Sequence, residues 1–235
     1  MTARSTSRTT LPDQVGTLRV SARRLIAGAE RGGTGGDLHD VLDTAFGTRL
    51  LIGDAMGKGP EGARSAAAVL HAWRQLAVHE RSLEVLAVRL HSLVTHSADP
   101  DRFVTAALLT FAPDGSAEMV CCGHPPPVLI RAGGAVSAVV PAPAPPLGLL
   151  DLGQGWCATQ PVPASSWDRM LLHTDGVSEA RDGDGDFYPL CERAAELAVR
   201  PLTTFTAALA ADLVHHARGC LQDDATLLAV EHAPP

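Results

Sequence analysis

Apolar residues recur along this chain with two alternating periods, and each switch between them marks a change of element. Leu18 to Ile26 is a short apolar-rich run, with Val20 and Leu25 among its inward positions, and reads as a strand. The breaker-rich stretch Gly32 to Gly36 follows. Asp37 to Ala45 and Arg49 to Gly53 then form two further strands joined near Gly47. From Glu61 to His79 the rhythm becomes helical: Ala66, Val69, Leu70, Trp73, Leu76 and Ala77 fall on one face. Leu83, Leu86, Ala87, Leu90, Leu93 and Val94 repeat it in a second helix, which Pro100 helps to end.

The short period then returns. Val104 to Ala112 and Ala117 to Cys122 flank the turn Pro113-Asp114-Gly115, so they predict a hairpin. Val128 to Arg131 and Val136 to Val140 flank Gly133-Gly134 in the same way. Pro141 to Pro146 is a stiff loop, not a domain linker, since strands continue beyond it: Met170 to His173 is a short buried one. Phe187 to Ala198 and Thr203 to Arg218 predict two helices split by Pro201, and Ala225 to Glu231 a last strand. This block order, strands and a helix pair given twice and then a strand, predicts an α+β layered sandwich.

Composition narrows what such a fold can be doing. Nearly half of the 235 residues are apolar, enough for a full core in one domain. A net charge of −7 argues against a nucleic-acid or anionic-membrane partner, both of which need basic patches. No apolar run approaches a membrane span, and Met1 to Gln14 lacks the apolar stretch of a signal peptide. Residues 1–16 are therefore expected to be a flexible tail and 17–232 the folded domain. The five cysteines have neither disulfide-framework nor zinc spacing, which fits reduced thiols and a cytoplasmic location.

Four acidic clusters sit in turns beside predicted strands: Gly35-Gly36-Asp37, Gly53 to Gly59 around Asp54, Thr174-Asp175-Gly176, and Gln222-Asp223-Asp224. Glycine next to aspartate lets the backbone turn sharply and bring carbonyl oxygens towards an ion. Carboxylate and carbonyl oxygens are what hard cations such as Mg²⁺ and Mn²⁺ select. Taken singly, each cluster is an ordinary solvated turn.

Together they are more specific. The strings Gly35-Gly36-Asp37-Leu38-His39-Asp40, Gly53-Asp54-Ala55-Met56-Gly57-Lys58-Gly59, Cys122-Gly123-His124-Pro125-Pro126-Pro127, Leu171 to Ala180 around Thr174-Asp175-Gly176, and Asp223-Asp224-Ala225-Thr226-Leu227-Leu228 follow one another as in one family. From about Val20 to Glu231 the chain resembles the bacterial stage II sporulation protein E type of phosphatase, a branch of the 2C-type metal-dependent (PPM) protein phosphatases. That resemblance implies a four-layer αββα sandwich, two antiparallel sheets flanked by helix pairs. It implies two Mn²⁺ or Mg²⁺ ions, with Asp54 bridging both and Asp37, Asp175, Asp223 and the Ala55 carbonyl as further ligands. Asp54, Asp37 and Asp175 would then be catalytic through a water that the ions activate for in-line attack on a phosphoester, without a phosphoenzyme. Asp224 would support its neighbour, and Asp40 would be either second in line behind the ligands or structural. The implied substrate is a phosphoserine or phosphothreonine on a regulatory protein such as an anti-sigma factor antagonist. A small phosphorylated metabolite, or a non-catalytic binding module of the same fold, are the alternatives, and a homodimer is left open.

Several positions depart from the family pattern. His39 stands where an aromatic residue is usual and reads as an ordinary packed histidine; Cys121-Cys122 replaces the usual Asn-Ala before Gly-His and reads as packing. His124 is read as helping to position loops. Lys58, the only lysine, is equally a phosphate contact or a loop residue, and its surroundings do not form a P-loop. Arg23 and Arg24 are left unassigned. The acidic loop from Arg181 to Asp186 lacks the twelfth-position glutamate of a calcium-binding EF-hand and reads as a turn by the substrate entrance. With about a dozen residues ahead of the core, sensing is expected to come from a partner or to be absent, unless the chain is a catalytic fragment.

Overall fold

Hydrogen-bonded ladders arrange the strands in two antiparallel sheets, and helices cover the outer face of each. The computed structural model describes residues 11–27, 35–57, 59–96, 102–131, 133–140, 142, 144–152, 157–163 and 168–233. In chain order the strands are β1 (Gln14–Val15), β2 (Leu18–Leu25), β3 (Asp37–Thr44), β4 (Gly47–Ala55), β5 (Val104–Phe111), β6 (Ala117–Cys122), β7 (Val128–Ile130), β8 (Val136–Ala138), β9 (Gln160–Val162), β10 (Arg169–His173) and β11 (Ala225–His232). The helices are α1 (Pro60–Leu76), α2 (Leu83–Thr95), the single turn α3 (Asp175–Ser178), α4 (Leu190–Leu197) and α5 (Leu202–His216). One sheet runs β1-β2-β11-β10-β7-β8 and the other β3-β4-β5-β6-β9.

Alternation along the central strands assigns every layer. On β4, Leu51 and Ala55 join Leu108 and Val120 in packing against Trp73, Leu86 and Leu90 of α1 and α2. The intervening Leu50 and Ile52 face the other sheet, where Leu109 and Met119 meet Leu172, Leu228 and Val230. Leu171, Leu227 and Ala229 turn the opposite way, onto Phe205, Leu209 and Leu213 of α5. A strand buried on both faces loses the polar alternation of a surface strand, which is why β4 is buried at nearly every position. Each fully buried leucine contributes roughly 1.5–3 kcal/mol, so this triple core fixes the register on which the strand ends depend. The expected αββα sandwich is therefore the observed one.

One of the buried charges lies against the helix-facing core. Arg49 is fully buried on the helix-facing side of β4 and donates to the carbonyls of Ala77 (2.8 Å), Glu80 and Arg81. Its guanidinium also sits 4.7 Å over the Phe46 ring. It thereby satisfies the open carbonyls where α1 ends and the chain turns towards α2.

Several boundaries depart from expectation, and one strand was not expected at all. The tail was expected to extend to residue 16, but Gln14–Val15 pair with Leu18 and Arg19 of β2 and Val15 is buried; residues 1–10 lie outside the described ones. The helix expected from Phe187 starts at Leu190, because Phe187 bridges Arg181 and Pro189 precedes the first turn. The strand expected to reach Val140 ends at Ala138. The edge strand β9, three residues long with a central proline, carries too little pattern to be read from sequence.

Candidate metal centre

The predicted acids stand at strand ends on one edge of the sandwich. Asp37 opens β3, and antiparallel register sets it directly opposite Asp54 near the end of β4. Residues opposite each other project to the same face, here the face of Ile52 and Val41 that looks towards the second sheet. From that second sheet come Asp175, just after β10, and Asp223 and Asp224, just before β11; β10 and β11 are themselves paired. Four chain segments that are far apart in sequence thus deliver carboxylates to one place.

Asp37 is the buried member, 3% exposed. Its Oδ2 accepts hydrogen bonds from Thr174 Oγ1 (3.0 Å) and Thr226 Oγ1 (2.5 Å), and Thr174 Oγ1 in turn accepts the Thr226 backbone N–H (2.9 Å). Those threonines tie the edge of one sheet to the end of the other and leave Oδ1 of Asp37 without a protein hydrogen bond among the described contacts. Burial raises the Asp37 carboxyl to about 7, against the pull of the two hydroxyls. Asp54 is raised to about 8, first by burial and then by repulsion from Asp37, Asp175, Asp223 and Asp224. Asp175 is also raised by burial, partly opposed by the Gly176 N–H donated to its Oδ1 at 2.8 Å.

The Asp-Asp pair divides its work. Asp223 is exposed, and its Oδ1 accepts only the N–H of Asp224 at 2.8 Å. Asp224 is 8% exposed and turned inward: Oδ1 accepts the Ala27 N–H at 2.9 Å, the Gly36 N–H points at the same carboxylate, and Arg24 Nη2 lies 3.8 Å from Oδ2. It thus binds both ends of the β2–β3 connection. Gly35 packs so closely on it that a Cβ there would lie 1.5 Å from Asp224 Oδ2. At Gly36 a Cβ would come within 2.4 Å of the Ala55 carbonyl oxygen and 2.7 Å of Asp54 Oδ1, so a niche free of side chains lies beside both groups.

Asp40 and His39 do other things. Asp40 lies on the opposite face of β3 from Asp37, where its Oδ2 accepts Arg74 Nε at 2.8 Å and ties β3 to α1. His39 is half-buried, and burial with Arg24 nearby lowers its imidazole to about 4, which keeps it neutral. Lys58 lies outside the described residues.

Sequence reasoning overlooked three residues around the acids. Thr174 and Thr226 sit inside the quoted strings beside Asp175 and Asp224, so a demand for hydroxyl partners to Asp37 was the signal for them. Thr105 is the third: its Oγ1 accepts the Asp54 N–H at 3.3 Å and meets His124 Nδ1 at 3.1 Å. His124 is buried and lowered to about 3 by burial, with the carbonyl of His173 on its far side.

All the converging groups are oxygen donors, the chemistry that Mg²⁺ or Mn²⁺ selects, and the repulsion among them is what a cation would relieve. Among the described residues no three acidic, histidine or cysteine side chains form a closed cage round an ion.

Comparison with known proteins identifies the fold and the family. The RsbU and RsbW domains of Rv1364c from Mycobacterium tuberculosis match with a TM-score of 0.78 at 23% identity, over 94% of this chain and 63% of that one. The SiaA-PP2C domain of Pseudomonas aeruginosa matches at 0.72 and 19%, over 90% and 86%. The PP2C phosphatase domain of SpoIIE from Bacillus subtilis, with a fragment of its regulatory domain, matches at 0.73 and 16%, over 94% and 64%. The chain thus spans under two thirds of the first and third of these structures, and at such identities the likeness is one of fold. The class is the PP2C-type phosphatase fold. The stage II sporulation protein E (SpoIIE) family model matches residues 44–233, and the chain belongs to that family.

Proposed function

We propose that this chain is a protein phosphatase that removes phosphate from serine or threonine of a regulatory protein, with residues 17–232, together with β1, as its catalytic domain. The observation that carries the reading is the convergence on Asp54 of Asp37, Asp175, Asp223 and Asp224 from separate segments of both sheets. In this reading Asp37, Asp54, Asp175, Asp223 and the Ala55 carbonyl would hold two divalent cations, Mn²⁺ or Mg²⁺. Bound there, the cations supply Lewis acidity and positive charge for attack of water on a phosphoester. The protein's part is to fix the carboxylates in place and to offset some of the cost that burial puts on their charge. Thr174 and Thr226 favour the charged form of Asp37 by donating to it, and Asp224 fixes the glycine turn that presents Asp37. Thr105 holds the backbone of Asp54.

The substrate is proposed as a phosphorylated anti-sigma factor antagonist. It is supported by family membership and by fold neighbours that include RsbU and RsbW domains and the SpoIIE phosphatase domain. No described helix is long and apolar enough to cross a membrane. The test is hydrolysis of p-nitrophenyl phosphate and of a serine-phosphorylated antagonist domain across a Mn²⁺ titration, with Asp54→Asn as control. Loss of both activities in the variant is expected. Full activity in Asp54→Asn would sink the site, while turnover of small esters with none on phosphoproteins would replace the protein substrate by a metabolite.

A further inference from the structure

Two thiols that the proposed chemistry does not use lie face to face beside the site. Strands β6 and β9 are antiparallel, with Ala117 opposite Val162, Glu118 opposite Pro161 and Met119 opposite Gln160. Continuing that register beyond the last ladder pair sets Cys157 directly opposite Cys122. Both side chains are buried in the core beneath α1 and α2, and their thiols are hydrogen-bonded to each other. The ladder itself ends at Gln160; were the pairing continued, the two Cα atoms would stand about 4.5–5.5 Å apart, within the roughly 4.4–6.8 Å that a disulfide spans. Cys121, by contrast, points to the inter-sheet core and donates its S–H to the His124 carbonyl.

We propose that Cys122 and Cys157 are a modification site: a dithiol that hydrogen peroxide oxidises reversibly to an intrachain disulfide. The S–H of Cys122, donated to Cys157, lowers the Cys157 thiol and correspondingly raises Cys122, so Cys157 is the attacking sulfur. Its thiolate attacks one peroxide oxygen, the O–O bond breaks, and the departing oxygen takes up a proton to leave as water. The resulting sulfenic acid is then attacked by the Cys122 sulfur, whose proton leaves with the sulfenic hydroxyl as a second water. Two thiols lose two electrons in total and one peroxide is reduced to two waters. Cys157 lies past the last ladder pair of β9, where local opening admits a small oxidant more readily than the sheet interior does. The bond would pin the end of β6 that leads into Gly123 and His124, the histidine that meets the threonine holding Asp54.

The pair is independent of the phosphatase reading and is tested on the full chain. The reduced protein is treated with hydrogen peroxide, its free thiols are blocked under denaturing conditions, and it is mapped by mass spectrometry without reduction. The expected result is a species about 2 Da lighter, one peptide pair joined through Cys122 and Cys157, and reversal by dithiothreitol. The crosslink closes a loop of about 35 residues and should raise Tm by ~5–10 °C. Cys191 and Cys220 are exposed free thiols and serve as internal controls for oxidation. If they oxidise while Cys122 and Cys157 stay reduced, or if Cys157 becomes sulfinic acid or joins another cysteine, the proposal fails. It fails equally if Cys157→Ala still yields the lighter species.

Discussion

Crowding carboxylates into one edge of the sandwich should make the metal-free protein lose stability as pH rises, the reverse of ordinary acid denaturation. Asp37 and Asp54 have folded-state values of about 7 and about 8 against an ordinary 3.8. A group raised on folding binds its proton more tightly in the folded state, so its contribution is complete below the ordinary value and is lost as pH climbs through the raised one. The buried histidines act in the opposite sense. His39 and His124 are lowered to about 4 and about 3, so their contribution is complete above about 6.5 and is lost only below it. The interval from about pH 6.5 to 8.5 therefore isolates the aspartates.

Across that interval the protonated fraction lost by Asp37 amounts to ~0.6 pH units and that lost by Asp54 to ~1.4, at about 1.36 kcal/mol per unit. Asp54 is partly exposed, and its repulsion from Asp37 must not be counted twice, so we take about half of the sum: roughly 1–2 kcal/mol, or a fall in Tm of ~3–6 °C. Differential scanning calorimetry of chelator-treated protein at half-unit pH steps measures it. Asp54→Asn removes the larger part and should leave less than half of the slope. Added Mn²⁺ should raise Tm more at pH 8 than at pH 6.5, because a ligand that needs ionised carboxylates competes with protons. A metal-free Tm that is flat or rising over this range, or an Asp54→Asn slope equal to that of the parent, would refute the convergence of charges on Asp54.

Thr226→Val removes the shorter hydroxyl contact to Asp37, a hydrogen bond to a charged group worth about 1.5–3 kcal/mol; the Mn²⁺ concentration for half-maximal activity should rise ~10-fold or more with kcat at saturation kept. Gly36→Ala forces a Cβ against the Ala55 carbonyl and should abolish Mn²⁺-induced stabilisation while far-ultraviolet circular dichroism stays that of the parent. Arg49→Met strips a buried donor from the carbonyls where α1 ends and should cost about 2–4 kcal/mol in urea unfolding, with the Mn²⁺ requirement unchanged.

What the sequence carries well is periodicity. The two long helices were legible because each buries one side over many residues, and the β3–β4 and β5–β6 hairpins, β10 and β11 because each is an apolar-rich run bounded by turn residues. The αββα layering follows from their order. Short, irregular elements were not legible: β9 has a proline at its centre, β1 is two residues long, and α3 is a single turn. At the centre the aspartates were readable because glycine beside a carboxylate is a local signal. Their partners were not, since Thr174 and Thr226 matter only through a contact with Asp37 from 137 and 189 residues away. The opposite roles of Asp223 and Asp224 were half visible, as adjacent residues that must point apart, and burial decided which points inward.

The centre's position on the fold follows from the cost of repulsion. Carboxylates that raise one another's pKa cannot lie in the middle of a sheet, where no solvent or counter-ion reaches them, and at a loop tip they would drift apart. Strand ends at the edge of the inter-sheet core meet both needs. Register holds Asp37 opposite Asp54, and the β10–β11 ladder holds Asp175 near Asp223. Each strand continues into core that holds its end in place, while the carboxylates stand at the boundary with water. The same logic accounts for the hydroxyls and amides around them. Thr174, Thr226 and the Ala27 and Gly36 N–H groups stabilise ionised carboxylates without adding a positive charge that would displace a cation. Arg24, beside Asp224, also lowers Asp37 by its charge, and so offsets part of the repulsion from one side. In the proposed centre a cation would take the place where Asp37, Asp54, Asp175 and Asp223 converge.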